Sequence, residues 1–405
     1  MTRPDWVVPV TLVVLLLTPL ASAESAVEIG ELVKIGGGDV GLEGAVISPD
    51  GEIVIAYGAD SSIFRIEAQN PENNSKLEWN GSERLLDADF HPGGQTSLIV
   101  GELGKVIRFI RAENSVESAG GEMHFGQTEL RSISWNDDGS WAYIGGEMGW
   151  IWRARWLEGG GMEAHTVEGR GTSDVNGISC VGGTGSCVIS TSVDGIGVID
   201  SDHEIHWIGG TGYPWIDVAC PGGIENDCVA ISSDKNIAIV RVDAFDPSAS
   251  DIGIVQLQDL EGQFNGIEIQ SDGKSLITMA PFAIIEHDLS PRMSFPWLEN
   301  ADAVNFDPSI AGERIVATWP TDESTGWLLT GPGHIVEFGP DDGGGTNGLL
   351  GIWIGVVVLG GVALLVASLV VSSSPSMSRW LAIKIGSEEE RFRAERELRR
   401  LGRKK

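Results

Sequence analysis

Positive charge is scarce in this 405-residue chain: 27 lysines and arginines face 58 aspartates and glutamates, for a net charge of −31. So acidic a chain cannot rely on phosphate neutralisation, which excludes nucleic acid as a partner. Its charge instead favours solubility and repels other acidic surfaces. Cysteine is nearly absent, with four residues in all. Catalytic signatures are missing as well: the sequence has no G-x-S-x-G elbow, phosphate loop, H-E-x-x-H, C-x-x-C or D-x-D-x-D-G calcium loop. The histidines are His91, His124, His165, His203, His206, His287 and His334. Only His203 and His206, near Asp200 and Asp202, approach ligand spacing, and they read as a solvated loop entering an edge strand rather than a metal site. The sequence therefore implies no catalytic residue set, no metal and no cofactor. Amphipathic helical periodicity is almost lacking from residues 24–348.

Long apolar runs are limited to two. The first, Val7 to Leu20, is too short to span a bilayer and ends at the small-residue site Ala21-Ser22-Ala23, so residues 1–23 read as a secretory signal peptide. The second, Leu349 to Val371, carries no charge and is long enough to cross a hydrocarbon core of about 30 Å. The tail at 372–405 has ten lysines and arginines against five acids, which places it in the cytoplasm. Its Ser387-Glu388-Glu389-Glu390 is a capping box opening a charged helix that runs toward Arg400. The expected organisation is a signal at 1–23, an extracytoplasmic domain at 24–338, a Gly-rich linker at 339–348, a transmembrane helix at 349–371 and a basic cytoplasmic tail. The protein is thus expected in the cell membrane, single-pass, with its main domain outside.

That domain repeats. Seven units align, beginning EGAVISPDGEIVIAYG at Glu43, LDADFHPGGQTSLIVG at Leu86, RSISWNDDGSWAYIGG at Arg131, NGISCVGGTGSCVIS at Asn176, IDVACPGGIENDCVAIS at Ile216, NGIEIQSDGKSLITMA at Asn265 and DAVNFDPSIAGERIVATW at Asp302. Their spacing, between 37 and 49 residues, fits four short antiparallel strands per unit. Third strands follow, as in VIRFI from Val106, and fourth strands, as in KLEWN from Lys76 and EMHF from Glu122. The expected fold class is all-β: a seven-bladed β-propeller with one C-terminal transmembrane helix. The second aligned column is small or acidic (Gly44, Asp87, Ser132, Gly177, Asp217, Gly266, Ala303), as crowding round an axis requires. The fifth is apolar: Ile47, Phe90, Trp135, Cys180, Cys220, Ile269 and Phe306. The ring closes either within the last unit or through the strand VEIGELVKIG from Val27, which would remove a free sheet edge.

Outside the cytoplasm cysteines pair. Local spacing favours Cys180–Cys187 and Cys220–Cys228, each stapling one hairpin, with a four-thiolate zinc site as the alternative. Asn73 and Asn80 head N-glycosylation triplets, placed between the third and fourth strands of the first unit. Five polar residues at strand entries, Glu43, Arg131, Asn176, Asn265 and Asp302, form the candidate ligand-binding mouth of a central channel, suited to a cation, a sugar or a basic peptide. Trp135, Trp141, Trp150, Trp152 and Trp156 cluster in the third unit, either for packing between blades or as an aromatic patch for a partner or glycan.

With its SPDG, NDDG and QSDG turns, the stretch from Val27 to Phe338 resembles the broad WD-repeat-like and TolB-like propellers, although the Gly-His/Trp-Asp signature of true WD repeats is absent. The resemblance implies a fold and little chemistry. The expected role is a membrane-anchored cell-surface module for binding, adhesion or assembly, with an extracellular protein or glycan as partner. The alternative is an extracytoplasmic propeller enzyme, glycosidase- or lactonase-like, with its site at the channel mouth.

Overall fold

The computed structural model describes residues 25–340 apart from 121, 158–159, 222–226, 258–259, 271–272, 289–292 and 323, and residues 374–402 apart from 385. The expected signal peptide, the expected membrane span and most of the expected Gly-rich linker lie outside the described residues. Among those that are described, no helix is long and apolar enough to cross a membrane.

The described residues from 25 to 340 form one compact unit and the tail belongs to a second. In the first, seven four-stranded antiparallel sheets follow one another along the chain, the blades of a propeller. Second strands are buried along all or nearly all of their length, completely so in Ile53–Gly58, Cys187–Thr191 and Gly326–Thr330, because a neighbouring blade covers each face. That is why these segments read as apolar runs rather than alternating ones. Outer strands such as Asp251–Gln256 meet solvent. The interior is accordingly divided into seven apolar clusters, each drawn from two adjacent blades. Trp319 illustrates the wedge between the last and first blades: it is 1 % exposed, and its indole N–H donates to the Ala68 carbonyl at 3.0 Å.

The N-terminal strand closes the ring. Val27–Lys34 runs antiparallel to His334–Pro340 as the outermost strand of blade seven, pairing Ile29 with Phe338 and Lys34 with His334. Ala26 N–H also reaches the Trp297 carbonyl in blade six at 3.0 Å. Gly339 and Pro340, expected in the linker, pair with Glu28 and Val27, so the sheet runs two residues into it.

Two expected strands are different elements. The seventh unit does not begin at Asp302: Asn300–Phe306 is a short helix, and the innermost strand of blade seven is Ile315–Pro320. Glu299 and Asp302 form a capping box that ends the preceding strand and opens the helix. Val304 and Phe306, whose spacing mimics a strand, are exposed. The positions of blade seven equivalent to those two columns are therefore Ala317, which is buried, and Pro320, which is exposed, not Ala303 and Phe306. Glu122–Phe125 is likewise a helical turn; it buries Phe125 edge-on against Trp152, and the fourth strand of blade two is Ser115–Ser118.

In the tail unit, helices Pro375–Lys384 and Glu388–Gly402 are joined by an Arg379–Glu397 ion pair of 3.2 Å. The backbone N–H and hydroxyl of Ser387 both bond the Glu390 carboxylate, at 3.0 and 3.2 Å.

Candidate functional site: the central channel and its rim

Every innermost strand carries a register shift at the same place, for instance between Leu42 and Gly44, Leu130 and Ser132, and Ile315 and Ala317. The extra residue is a β-bulge, and a bulge re-aims its side chain. Glu43, Arg131, Asn176 and Asn265 all occupy this position. The equivalent residue of blade seven is Val316, so Asp302 is not part of the set; it caps the helix between blades six and seven and accepts a bond from the Ser25 hydroxyl.

The four that do assemble link blades. Glu43 sits between Arg84 and Arg314, both at 2.7 Å, which ties blade one to blades two and seven. Burial pushes its carboxyl up, but the two guanidinium bonds outweigh that and hold it below its ordinary value. Arg131 pairs with Glu129 and Asp174 and donates to the Asn176 amide oxygen. The amides of Asn176 and Asn265 donate to the carbonyls of Trp215 and Ile315 in the next blades, at 2.8 and 2.6 Å.

Below this rim lies a cavity of about 280 Å³ with an acidic lining: Asp87 and Asp89 of blade two, Asp217 of blade five and Glu268 of blade six. Each clasps the next blade. Asp87 accepts the N–H of Ile133 at 2.7 Å, Asp89 that of Trp135 at 2.7 Å, Asp217 that of Ile267 at 3.2 Å and Glu268 that of Thr318 at 2.9 Å. The buried Tyr57 hydroxyl donates to Asp87 at 3.2 Å. By area the carboxyls are only half-buried, since each touches the lumen, but protein encloses their other sides. Burial lifts all four to about 7, against the partial relief of the N–H bonds. For Asp217 the charge of Asp87 adds to the effect of burial, so blades two and five sense each other through the channel. Among the described residues lining this cavity, none is basic.

This arrangement can hold protons near neutral pH or attract a cation into the lumen. The sequence marked Asp87 and Asp217 only as acidic members of a crowded column. Asp89 and Glu268, two positions further along their strands, went unmarked, because nothing local shows that such a residue faces the axis.

The remaining candidates lie elsewhere. Cys180 is bonded to Cys187 and Cys220 to Cys228, each across the innermost hairpin of its own blade. Asn73 is exposed on the fourth strand of blade one (Asn70–Lys76), and Asn80 is exposed in the loop after it, not between the third and fourth strands. Asp200, Glu204 and His206 converge within 4.8 Å. Asp200, however, already accepts the N–H groups of Asp202 and Glu204 and a 2.7 Å bond with His206. His203 points away, to the Tyr143 hydroxyl at 2.7 Å.

No family model matches this chain, and no curated protein does. Solved structures do match in fold. The β-propeller domain of Cps50 (Swd1) from Myceliophteria thermophila superposes with a TM-score of 0.61 at 10 % identity, over 77 % of this chain and 99 % of that one. Virginiamycin B lyase from Staphylococcus aureus, as a catalytically inactive variant with quinupristin, gives 0.60 at 13 % identity with the same coverage. At such identities the likeness shows a β-propeller and leaves chemistry open.

Proposed function

We propose that this chain is a single-pass membrane protein that displays its propeller outside the cytoplasm as a binding or assembly-scaffold module. One observation carries the binding role. The polar groups of the channel and rim are engaged in joining blades: Glu43 between two arginines, and each channel carboxyl on a neighbour's backbone. They serve as framework for the surfaces around them. Membrane anchorage rests on the apolar run at 349–371 and the basic tail, and export rests on the N-terminal signal pattern. A two-part experiment tests the proposal. Protease added to intact cells should remove the propeller and spare the tail, and affinity capture with the displayed domain should recover an extracellular partner. Protection of the propeller would overturn the topology.

The channel carboxyls favour a second reading, a hydrolase using one of them as an acid, because a carboxyl titrating near neutrality suits that task. Turnover of glycoside or lactone substrates that disappears in Asp217→Asn would establish it in place of the binding role. No turnover in the native protein would retire it.

A further inference from the structure

Blades two and three part on one side to leave a cleft of about 330 Å³. That volume is at the lower end of the ~300–1,000 Å³ typical of small-molecule sites. The wall from blade two presents Thr96, Leu98 and Arg108, the last two directly opposite each other across paired strands. The wall from blade three presents Trp135, Trp156 and Met162, the last two again a cross-strand pair. Leu98 and Met162 are buried and make an apolar floor, while Trp156 is partly exposed. Arg108 lies 4.3 Å from the Trp156 ring centroid and is tethered to Glu117 at 3.1 Å, so its charge is compensated and its position fixed.

Two polar side chains at the mouth of the cleft are unused. The Trp135 indole N–H, by contrast, is fully buried and has no hydrogen-bond partner. The Gln95 amide and the Thr96 hydroxyl at the rim make no hydrogen bond among the described residues. His91 is committed: its Nδ1 accepts the Gly93 N–H at 3.0 Å, so its Nε2 donates to the Gly139 carbonyl at 3.2 Å.

We infer that this cleft binds a neutral saccharide bearing an N-acetyl group, as the recognition site of the binding module proposed above, on which reading the inference rests. A pyranose ring has an apolar C–H face suited to an indole and hydroxyls suited to an amide and a threonine. An acetamido group adds a methyl for the Leu98–Met162 floor and an amide for Gln95. A strongly anionic sugar is disfavoured by the acidic surface and the neutralised arginine.

The test uses the full-length chain in a detergent without a sugar headgroup, with N-acetylglucosamine, its β-1,4 dimer, glucose and N-acetylphenylalaninamide as probes. Saturation-transfer NMR and calorimetry should show saturable binding of the acetylated sugars at a millimolar or lower Kd, and glucose should bind at least about fivefold more weakly. Trp156→Ala should weaken binding about tenfold or more. In the double variant Gln95→Ala/Thr96→Ala, Gln95 is exposed in the hairpin and Thr96 is half-buried at the first residue of the second strand; the variant should weaken binding about threefold or more. No saturation at about 20 mM, equal binding in both variants, or preferential binding of the phenylalanine amide would each overturn the assignment. Protease shaving is unaffected by any of these outcomes, so loss of the site and loss of the surface-display reading are told apart.

Discussion

Neutralising one channel carboxyl should flatten the pH dependence of stability. Asp217 titrates near 3.8 in the unfolded chain and at about 7 inside the propeller, mainly through burial and then through Asp87. The folded state therefore binds more protons than the unfolded state between those values, and stability falls as pH rises through that window. A shift of about three units corresponds to about 4 kcal/mol at most. Lumen water screens the group, so about 1–2 kcal/mol is the working figure. For a domain of this size that is roughly 2–8 °C in Tm. The native protein should melt highest near pH 5 and lose several degrees by pH 8, with Asp87, Asp89 and Glu268 acting in the same direction. In Asp217→Asn the amide keeps one acceptor for the Val218 or Ile267 N–H and forfeits the other. The variant should be less stable than the native protein at pH 5, by about 1–3 kcal/mol. It should recover relative to native by pH 8, where native Asp217 must carry a buried charge. Differential scanning calorimetry from pH 5 to 8 reads both slopes. A native Tm that is flat or rising over this range, or an Asp217→Asn slope equal to native, would refute the reasoning.

Three further outcomes are expected. Each disulfide closes a loop of seven or eight residues, worth about 2.5 kcal/mol by loop entropy, so reduction should lower Tm, while non-reducing peptide mapping should recover only Cys180–Cys187 and Cys220–Cys228. Glu43→Gln removes the anion shared by Arg84 and Arg314; it should cost about 1–2 kcal/mol in urea unfolding, with no further loss when Arg84→Ala is added if the two act as one link. Deleting residues 27–34 exposes the edge of His334–Pro340 and should convert a cooperative transition into a broad one, with dimerisation visible by light scattering; an unchanged transition would show that blade seven closes the ring without its outer strand.

The repeat was legible because strand order in a propeller is sequence order. Each of blades one to six is a local meander, so its four strands leave their mark within one window, and the apolar second strands fix the phase. Blade seven was misread where a helix interrupts that regularity: DAVNF alternates like a strand, yet Glu299 and Asp302 are spaced as a capping box, a signal that was present and outweighed by the pattern around it. The rim residues were legible as a column, but the bulge that turns them toward neighbouring blades is a property of pairing, invisible in one strand. The channel carboxyls were half legible for the same reason. The acidic type of Asp87 and Asp217 shows in the sequence, whereas the N–H groups they clasp belong to residues about fifty positions away.

The placement of the two disulfides follows from how the ring is clasped. At the junctions from blade two to three, five to six and six to seven, a carboxyl accepts the next blade's N–H. From blade three to four and four to five the acceptor is a neutral hydroxyl: Ser134 takes the Cys180 N–H at 3.2 Å and Ser179 the Cys220 N–H at 2.9 Å. A carboxyl such as Asp217 offers two acceptor oxygens, one for its own strand and one for the next blade, where a hydroxyl offers one, so these two junctions hold their innermost strands less firmly. The residues whose N–H groups are held this way are Cys180 and Cys220, one cysteine of each disulfide. Tying each innermost strand to the second strand of its own blade fixes the position of the N–H that the serine must meet, so the covalent staple compensates within the blade for a weaker clasp between blades. Replacing Ser134 by Ala should therefore cost little while Cys180–Cys187 is intact and markedly more once it is reduced. Equal cost in both states would show that the staple and the clasp are independent.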